Sequence, residues 1–188
     1  MARSTVRIQK TSPAEERKNI YEWIQCFALA LIVCVFLFLF FVRIIDVIGT
    51  SMYPTLNDGD KMLLSGLFYT PSDGDVVVFK KDEYDPDRAL VKRIIATEGQ
   101  EVNIDFDTGE IWIDGVLIDE PYIAELTANK LDFIGPKTVP EGCVFVLGDN
   151  RNMSTDSRKA EIGMVDSRLI LGKVYAVIFP LSGFRFVD

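Results

Sequence analysis

Pro71-Ser72-Asp73-Gly74-Asp75-Val76-Val77-Val78-Phe79 sets a cluster of turn formers directly before a run of β-branched and aromatic residues. Gly, Pro, Asp and Ser favour turns, and a short apolar run bounded by them reads as a buried β-strand. The same punctuation recurs along the chain. Val91 to Ala96, Ile111-Trp112-Ile113, Val144-Phe145-Val146-Leu147 and Val174 to Phe179 are further short apolar runs. Between them stand Asn57-Asp58-Gly59-Asp60, Asp107-Thr108-Gly109, Asp114-Gly115 and Pro140-Glu141-Gly142. Regular short strands of this kind predict a mainly β domain of antiparallel sheets over residues 46–188. Asp107-Thr108-Gly109 and Asp114-Gly115 mark tight turns in a small meander, a β region inserted at 98–139.

Toward the N-terminus the pattern changes. Cys26 to Val42 reads CFALALIVCVFLFLFFV, seventeen residues without a charge or amide. Flanking Tyr21, Trp23, Ile44 and Ile45 extend it to the length that crosses a bilayer, about 20 residues. The run ends in FFVRII without a small-residue cleavage pattern, which points to an uncleaved anchor over 24–45. Arg3, Arg7, Lys10, Arg17 and Lys18 place the segment 1–23 in the cytoplasm, as a single-pass protein with its β domain outside. The charged stretch 8–23 is expected to form an amphipathic helix. Ser51 falls about nine residues past the anchor, close to the membrane surface at ~3.3–3.6 Å per residue. Met52, Tyr53 and the C-terminal apolar residues are either core or dip into the lipid interface.

Charge and composition exclude several chemistries. Residues 1–43 carry a net +3, so the rest holds −11 of the chain's formal charge of −8. An acidic body argues against nucleic acid as a partner. Cys26, Cys34 and Cys143 show no pairing or metal-binding spacing and read as unpaired apolar cysteines. The chain has no histidine. A Ser-His-Asp or Cys-His arrangement and a His-based metal site are thereby excluded. G-x-S-x-G, S-x-x-K and phosphate-binding glycine loops are absent as well.

Three segments stand out from an ordinary β domain. They are Gly49-Thr50-Ser51-Met52-Tyr53-Pro54-Thr55-Leu56, Leu90 to Ala96, and Gly148-Asp149-Asn150-Arg151-Asn152-Met153-Ser154-Thr155-Asp156-Ser157-Arg158. Singly, each has a plain reading: a turn serine, an edge lysine and a solvated loop. Lys92 interrupts an apolar run on the face of Leu90 and Ile94, where a lysine is at an edge, snorkelling, or buried and partly neutral. The rarity of buried lysine favours the solvated reading. Taken together the segments allow a sharper one. A desolvated lysine can act as general base toward a serine hydroxyl, an arrangement that needs no histidine.

In order and spacing these segments, with Asp60-Lys61-Met62-Leu63-Leu64 and Gly74 to Phe79, resemble the bacterial type I signal peptidase family in its compact, Gram-positive-like form. The resemblance implies a membrane-anchored serine endopeptidase that removes signal peptides from secreted preproteins at A-x-A-like sites, through an acyl-enzyme. Ser51 would be the nucleophile, with its backbone N–H in the oxyanion hole. Lys92 would be the general base, and Ser154 would orient the lysine. Arg93 with Asp149, and Asp156 with Arg158, would be supporting ion pairs. An extended substrate would pair with strand edges at Asp46-Val47-Ile48-Gly49 and Arg88-Ala89-Leu90-Val91. No metal or cofactor is called for, and the partners implied are preprotein signal peptides, membrane lipid and nearby protein translocation machinery. Two departures stand out. Gly49 occupies the place of a serine that in larger relatives helps hold the oxyanion, and Asn152 stands where many members have Asp. Against this reading stand the self-cleaving repressors, which the anchor and acidic body disfavour, and a non-enzymatic anchored β module for adhesion or assembly.

Overall fold

A computed structural model describes residues 13–41, 43–81 and 83–187. It divides into two units, residues 1–40 and 41–188. Among the described residues the first holds one unbroken helix, α1 (Pro13–Phe41), which ends at the first residue of the second. Its stretch Arg17–Phe36 is long and apolar enough to cross a membrane, and none of it is buried within the protein. At 1.5 Å per residue, 29 residues reach about 43 Å, more than the ~30 Å hydrocarbon core of a bilayer. The charged segment 13–23 continues straight into the apolar run, with no separate amphipathic helix; residues 8–12 lie outside the described residues.

The second unit is the expected mainly β fold. Twelve strands are seen among the described residues: β1 (Arg43–Asp46), β2 (Lys61–Ser65), β3 (Val76–Lys80), β4 (Ala89–Ala96), β5 (Glu101–Ile104), β6 (Ile111–Ile113), β7 (Val116–Leu117), β8 (Lys137–Thr138), β9 (Cys143–Leu147), β10 (Val165–Asp166), β11 (Ile170–Phe179) and β12 (Arg185–Phe186). The larger sheet runs β1-β2-β11-β3-β4-β9-β10, with β12 added beside β11. The smaller sheet, β7-β6-β5-β8, falls within the expected insertion. All pairings are antiparallel.

One boundary differs from the hydropathy reading. Arg43-Ile44-Ile45, assigned to the anchor, belong to β1 and pair with Leu64, Leu63 and Met62. Hydropathy records that a residue is apolar, and β-branched Ile44 and Ile45 suit a strand at least as well as a helix.

Three apolar clusters build the core. One lies under β1, β2 and β11 around Met62, Leu64, Val174 and Val177, and Met52 plugs into it. A second, around Val77, Phe79, Ile94 and Val146, packs between β3, β4 and β9. The third joins the two sheets through Ile95, Val102, Ile111, Phe133 and Phe145. Phe133 is its keystone. Its ring meets Phe106 and Phe145 edge-on, with centroids 5.9 and 5.7 Å away. Phe133→Ala removes both contacts at a site 1% exposed, and a loss of about 3–5 kcal/mol in denaturant unfolding is expected.

Candidate active site

The site begins with β4. Its first residues, Ala89 to Val91, are partly open, but from Lys92 to Ala96 every residue is buried. β3 pairs along one side, and β9 joins the other from Arg93 onward. Lys92 therefore enters the interior where the strand stops being an edge, and it is 3% exposed. The solvated reading of this lysine is overturned: alternation along one strand registers a face but not what covers it.

Ser51 comes from the turn after β1. That turn is fixed to the core by Met52 and Leu56, both buried, and closed by Leu56 N–H donating to the Met52 carbonyl (2.8 Å). The Lys92 amine lies 2.7 Å from Ser51 Oγ and donates also to the Val91 carbonyl at 2.9 Å. Both acceptors are neutral. Burial pushes the Lys92 pKa from 10.5 down to about 8; the nearby charges of Asp156 and Asp149 oppose this, and that of Arg158 adds to it.

The loop 148–158 stands behind the turn. Asn150 N–H donates to the Ser51 carbonyl and Asn150 Nδ2 to the Thr50 carbonyl, both at 3.0 Å. Arg93 grips Asp149 with Nε and Nη2 at 3.0 and 2.9 Å, and Thr55 Oγ1 donates to the same carboxylate at 2.5 Å. Asp156 accepts from Arg158 Nε and Nη2 and from Gly148 N–H. These ions are buried, and each carboxylate is met by a guanidinium. At Gly148 a Cβ would come within 2.5 Å of both the Ser51 carbonyl oxygen and Ser154 Cβ, so only glycine lets the loop approach this closely.

Ser154 departs from expectation. It is buried, yet its hydroxyl makes no hydrogen bond, to Lys92 or to anything else among the described residues. Its side chain rests against Gly148.

Beside this contact opens a cleft of about 250 Å³, with Ser51 and Lys92 in its wall. Asp46, Ile48, Arg88, Ala89, Leu90 and Val91 line it, as the resemblance implies, and so do Ile45, Val78 and Asp87, which sequence reasoning missed. Val47 and Gly49 do not. Val47, just past the end of β1, packs into the core, 5% exposed, with its N–H on the Asp60 carbonyl. Gly49 takes φ +91°, which a side chain rarely adopts, and its N–H is held by Asp58 Oδ1 at 2.7 Å. The missing serine at 49 thus follows from the backbone of the turn. Asp58, Asn150 and Thr55 were also not singled out individually; each acts through a tertiary contact that leaves no local pattern.

Comparison with known proteins identifies the family. The family model described as "Signal peptidase, peptidase S26" matches residues 20–179. "Signal peptidase I" of Bacillus licheniformis is 34% identical over 184 residues, covering 92% of this chain and 96% of that one. "Signal peptidase I S" of Bacillus subtilis is 32% identical, covering 94% and 98%. A crystal structure of a signal peptidase I from Enterococcus faecalis shares 30% identity, with a TM-score of 0.45, over 56% of this chain and 97% of that one.

Burial of Lys92 has a signature in stability. The unfolded lysine, near pKa 10.5, holds its proton more tightly than the folded one near 8, so the wild type gains stability as pH rises between those values. Below pH 8 the desolvated cation opposes folding by about 3 kcal/mol, at 1.36 kcal/mol per pKa unit. Lys92→Met is therefore expected to melt above the wild type at pH 6, with the gap closing toward pH 10, in parallel thermal scans.

Proposed function

This chain belongs to the S26 family of signal peptidases, which are serine endopeptidases, and from that premise we propose that it removes signal peptides from secreted preproteins with Ser51 as nucleophile and Lys92 as general base. The observation that carries the proposal is the 2.7 Å contact between a 97% buried amine and Ser51 Oγ, with no carboxylate bonded to that amine among the described residues. Such an amine can be neutral near pH 8 and accept the serine proton.

Ser51 Oγ attacks the scissile carbonyl as Lys92 takes its proton. The tetrahedral intermediate collapses when Lys92 passes that proton to the leaving amine, and the mature chain departs from a Ser51 ester. A water deprotonated by Lys92 then releases the signal peptide. The developing oxyanion is assigned to the Ser51 backbone N–H; the Gly49 N–H is already engaged by Asp58. When protonated, Lys92 has three N–H donors, and two have acceptors in Ser51 Oγ and Val91 O. We assign Ser154 Oγ as the third acceptor, reached by rotation of its side chain; its buried, unpaired hydroxyl supports the role.

The substrate segment before the cleaved bond is proposed to lie extended in the cleft between the edges of β1 and β4, adding a strand. Apolar walls at Ile45, Ile48, Val78 and Leu90 around a small volume fit the short side chains of an A-x-A site and exclude large ones. Helix α1 is proposed as the membrane anchor, N-terminus in the cytoplasm, holding the enzyme beside the translocation machinery on the lipid surface where signal peptides reside. Tethering both partners to one surface raises their effective concentration.

Ser51→Ala and Lys92→Ala are each expected to abolish cleavage of an A-x-A preprotein in detergent, while the circular dichroism spectrum stays that of the wild type. The kcat/KM of the wild type should rise with pH about a midpoint near 8 as Lys92 loses its proton. A profile flat from pH 5 to 9, or cleavage retained in either variant, overturns the dyad.

A further inference from the structure

The segment from Glu120 to Asp132, between β7 and β8, runs as a strap along the loop 148–160 and is fastened to it chiefly at two places. The first is the Glu120 carboxylate, whose side chain is 7% exposed. It accepts from Arg151 Nη1 at 2.9 Å, from Arg151 Nη2 at 2.5 Å and from the Tyr122 hydroxyl at 3.1 Å. Arg151 is fully buried, and its Nε donates to the Gly148 carbonyl at 3.0 Å. The Tyr122 ring lies 3.9 Å from Arg93 Cζ, and Arg93 holds Asp149. One carboxylate thereby reaches Gly148 through Arg151 and Asp149 through Tyr122 and Arg93.

The second fastening is Asn152. Its Oδ1 accepts the N–H groups of Ala128 and Asn129, both at 3.0 Å. Its Nδ2 donates to Glu125 Oε2 at 2.9 Å and to the Leu126 carbonyl at 3.1 Å. Two donors face one end of the amide and two acceptors the other, so the side chain fits in one orientation. The Arg158 guanidinium adds a bond to the Asn129 carbonyl, and Ala160 N–H donates to Asp132.

What the strap holds is the backbone that seats the nucleophile. Asn150 bonds the carbonyls of Ser51 and Thr50, and Gly148 packs between Ser51 and Ser154 with no room for a methyl group. A shift of the loop must pass to Ser51 or Ser154. No strap residue lines the cleft beside Ser51. From these contacts we infer that the strap is a positioning element for the reaction, with Glu120 and Asn152 as its positioning residues. The inference rests on the reading of Ser51 and Lys92 as the dyad.

A device that aligns the nucleophile without touching substrate acts on kcat and spares KM, and small misplacements of a reacting group cost up to ~10²-fold. N152D keeps the acceptor for Ala128 and Asn129 but sets an anion against Glu125. Adding E125Q supplies a donor to the new carboxylate and restores the 125–152 bond with its ends exchanged, leaving only the Leu126 carbonyl without its donor. The full-length chain in detergent, acting on an A-x-A preprotein peptide, is assayed as wild type, E120Q, N152D and N152D/E125Q, with a melting temperature for each. Expected is a kcat about 10-fold lower for N152D with KM within about twofold, recovery to within about threefold in N152D/E125Q, and a loss at least as large for E120Q. Should E120Q fail to fold, the exposed Asn152 clasp carries the test by itself. An unchanged kcat in N152D, a loss that E125Q does not restore, or a rise in KM in its place overturns the inference. Wild-type cleavage that survives Ser51→Ala overturns the dyad instead, so the two failures are told apart.

Discussion

Burying an ammonium ion in an apolar sheet is unfavourable by several kcal/mol unless the charge is paired or given up, and the region around Lys92 withholds the pairing. Three arginines lie buried close by, each on a carboxylate of its own: Arg93 on Asp149, Arg151 on Glu120, Arg158 on Asp156. Guanidinium groups stay protonated at any ordinary pH and their planar forks match carboxylates at two points. They occupy the acids and leave the lysine a serine hydroxyl and a main-chain carbonyl. Had Asp149 or Asp156 bonded the amine directly, the ion pair would have held its proton on, against the role proposed for it. The arginines thus do more than brace loops. Burial lowers the lysine's proton affinity, and the arginines keep the neighbouring carboxylates from bonding the amine and undoing it.

That arrangement explains why the chain's order of motifs was easier to read than its interactions. The turn signals before Val76, Ile111 and Val144 point to the antiparallel sheets, since Gly, Asp and Pro punctuate strands through local backbone preference. The absent histidine narrowed the base to a few side chains, and the segments around Ser51, Lys92 and Asp149 supplied the candidates. Burial of Lys92 was not legible. It depends on β9, more than fifty residues further on, pairing with β4 just past the lysine. Arg43 to Ile45 misled in the same way, as their partners on β2 follow an intervening turn. Glu120 and Tyr122 carry no motif at all; a glutamate before a proline in an acidic stretch gives no sign that it meets a buried arginine 31 residues on.

The two sheets act on different sides of the Ser51 turn. The open edges of β1 and β4, both in the larger sheet, form the cleft, and their covered portions set the turn of Ser51 and the amine of Lys92. The smaller sheet contributes nothing to the walls of that cleft. Its contribution passes through the strap to the loop 148–158, and so to the carbonyl side of Ser51.

Gly49 and Gly148 show why this division needs glycine on both flanks of the turn. On the cleft flank, φ +91° at Gly49 turns the chain out of β1 and delivers its N–H to Asp58, which fixes the entry of the turn. On the loop flank, Gly148 admits the Ser51 carbonyl and the Ser154 side chain together. A side chain at 49 would strain the backbone in open space, whereas one at 148 would push Ser51 and Ser154 apart by direct overlap. The first position controls the path of the turn, the second its distance from the loop. A hydrogen bond as short as the one between Lys92 and Ser51 requires both to be held at once, because the amine is fixed in β4 and cannot follow a Ser51 side chain that drifts.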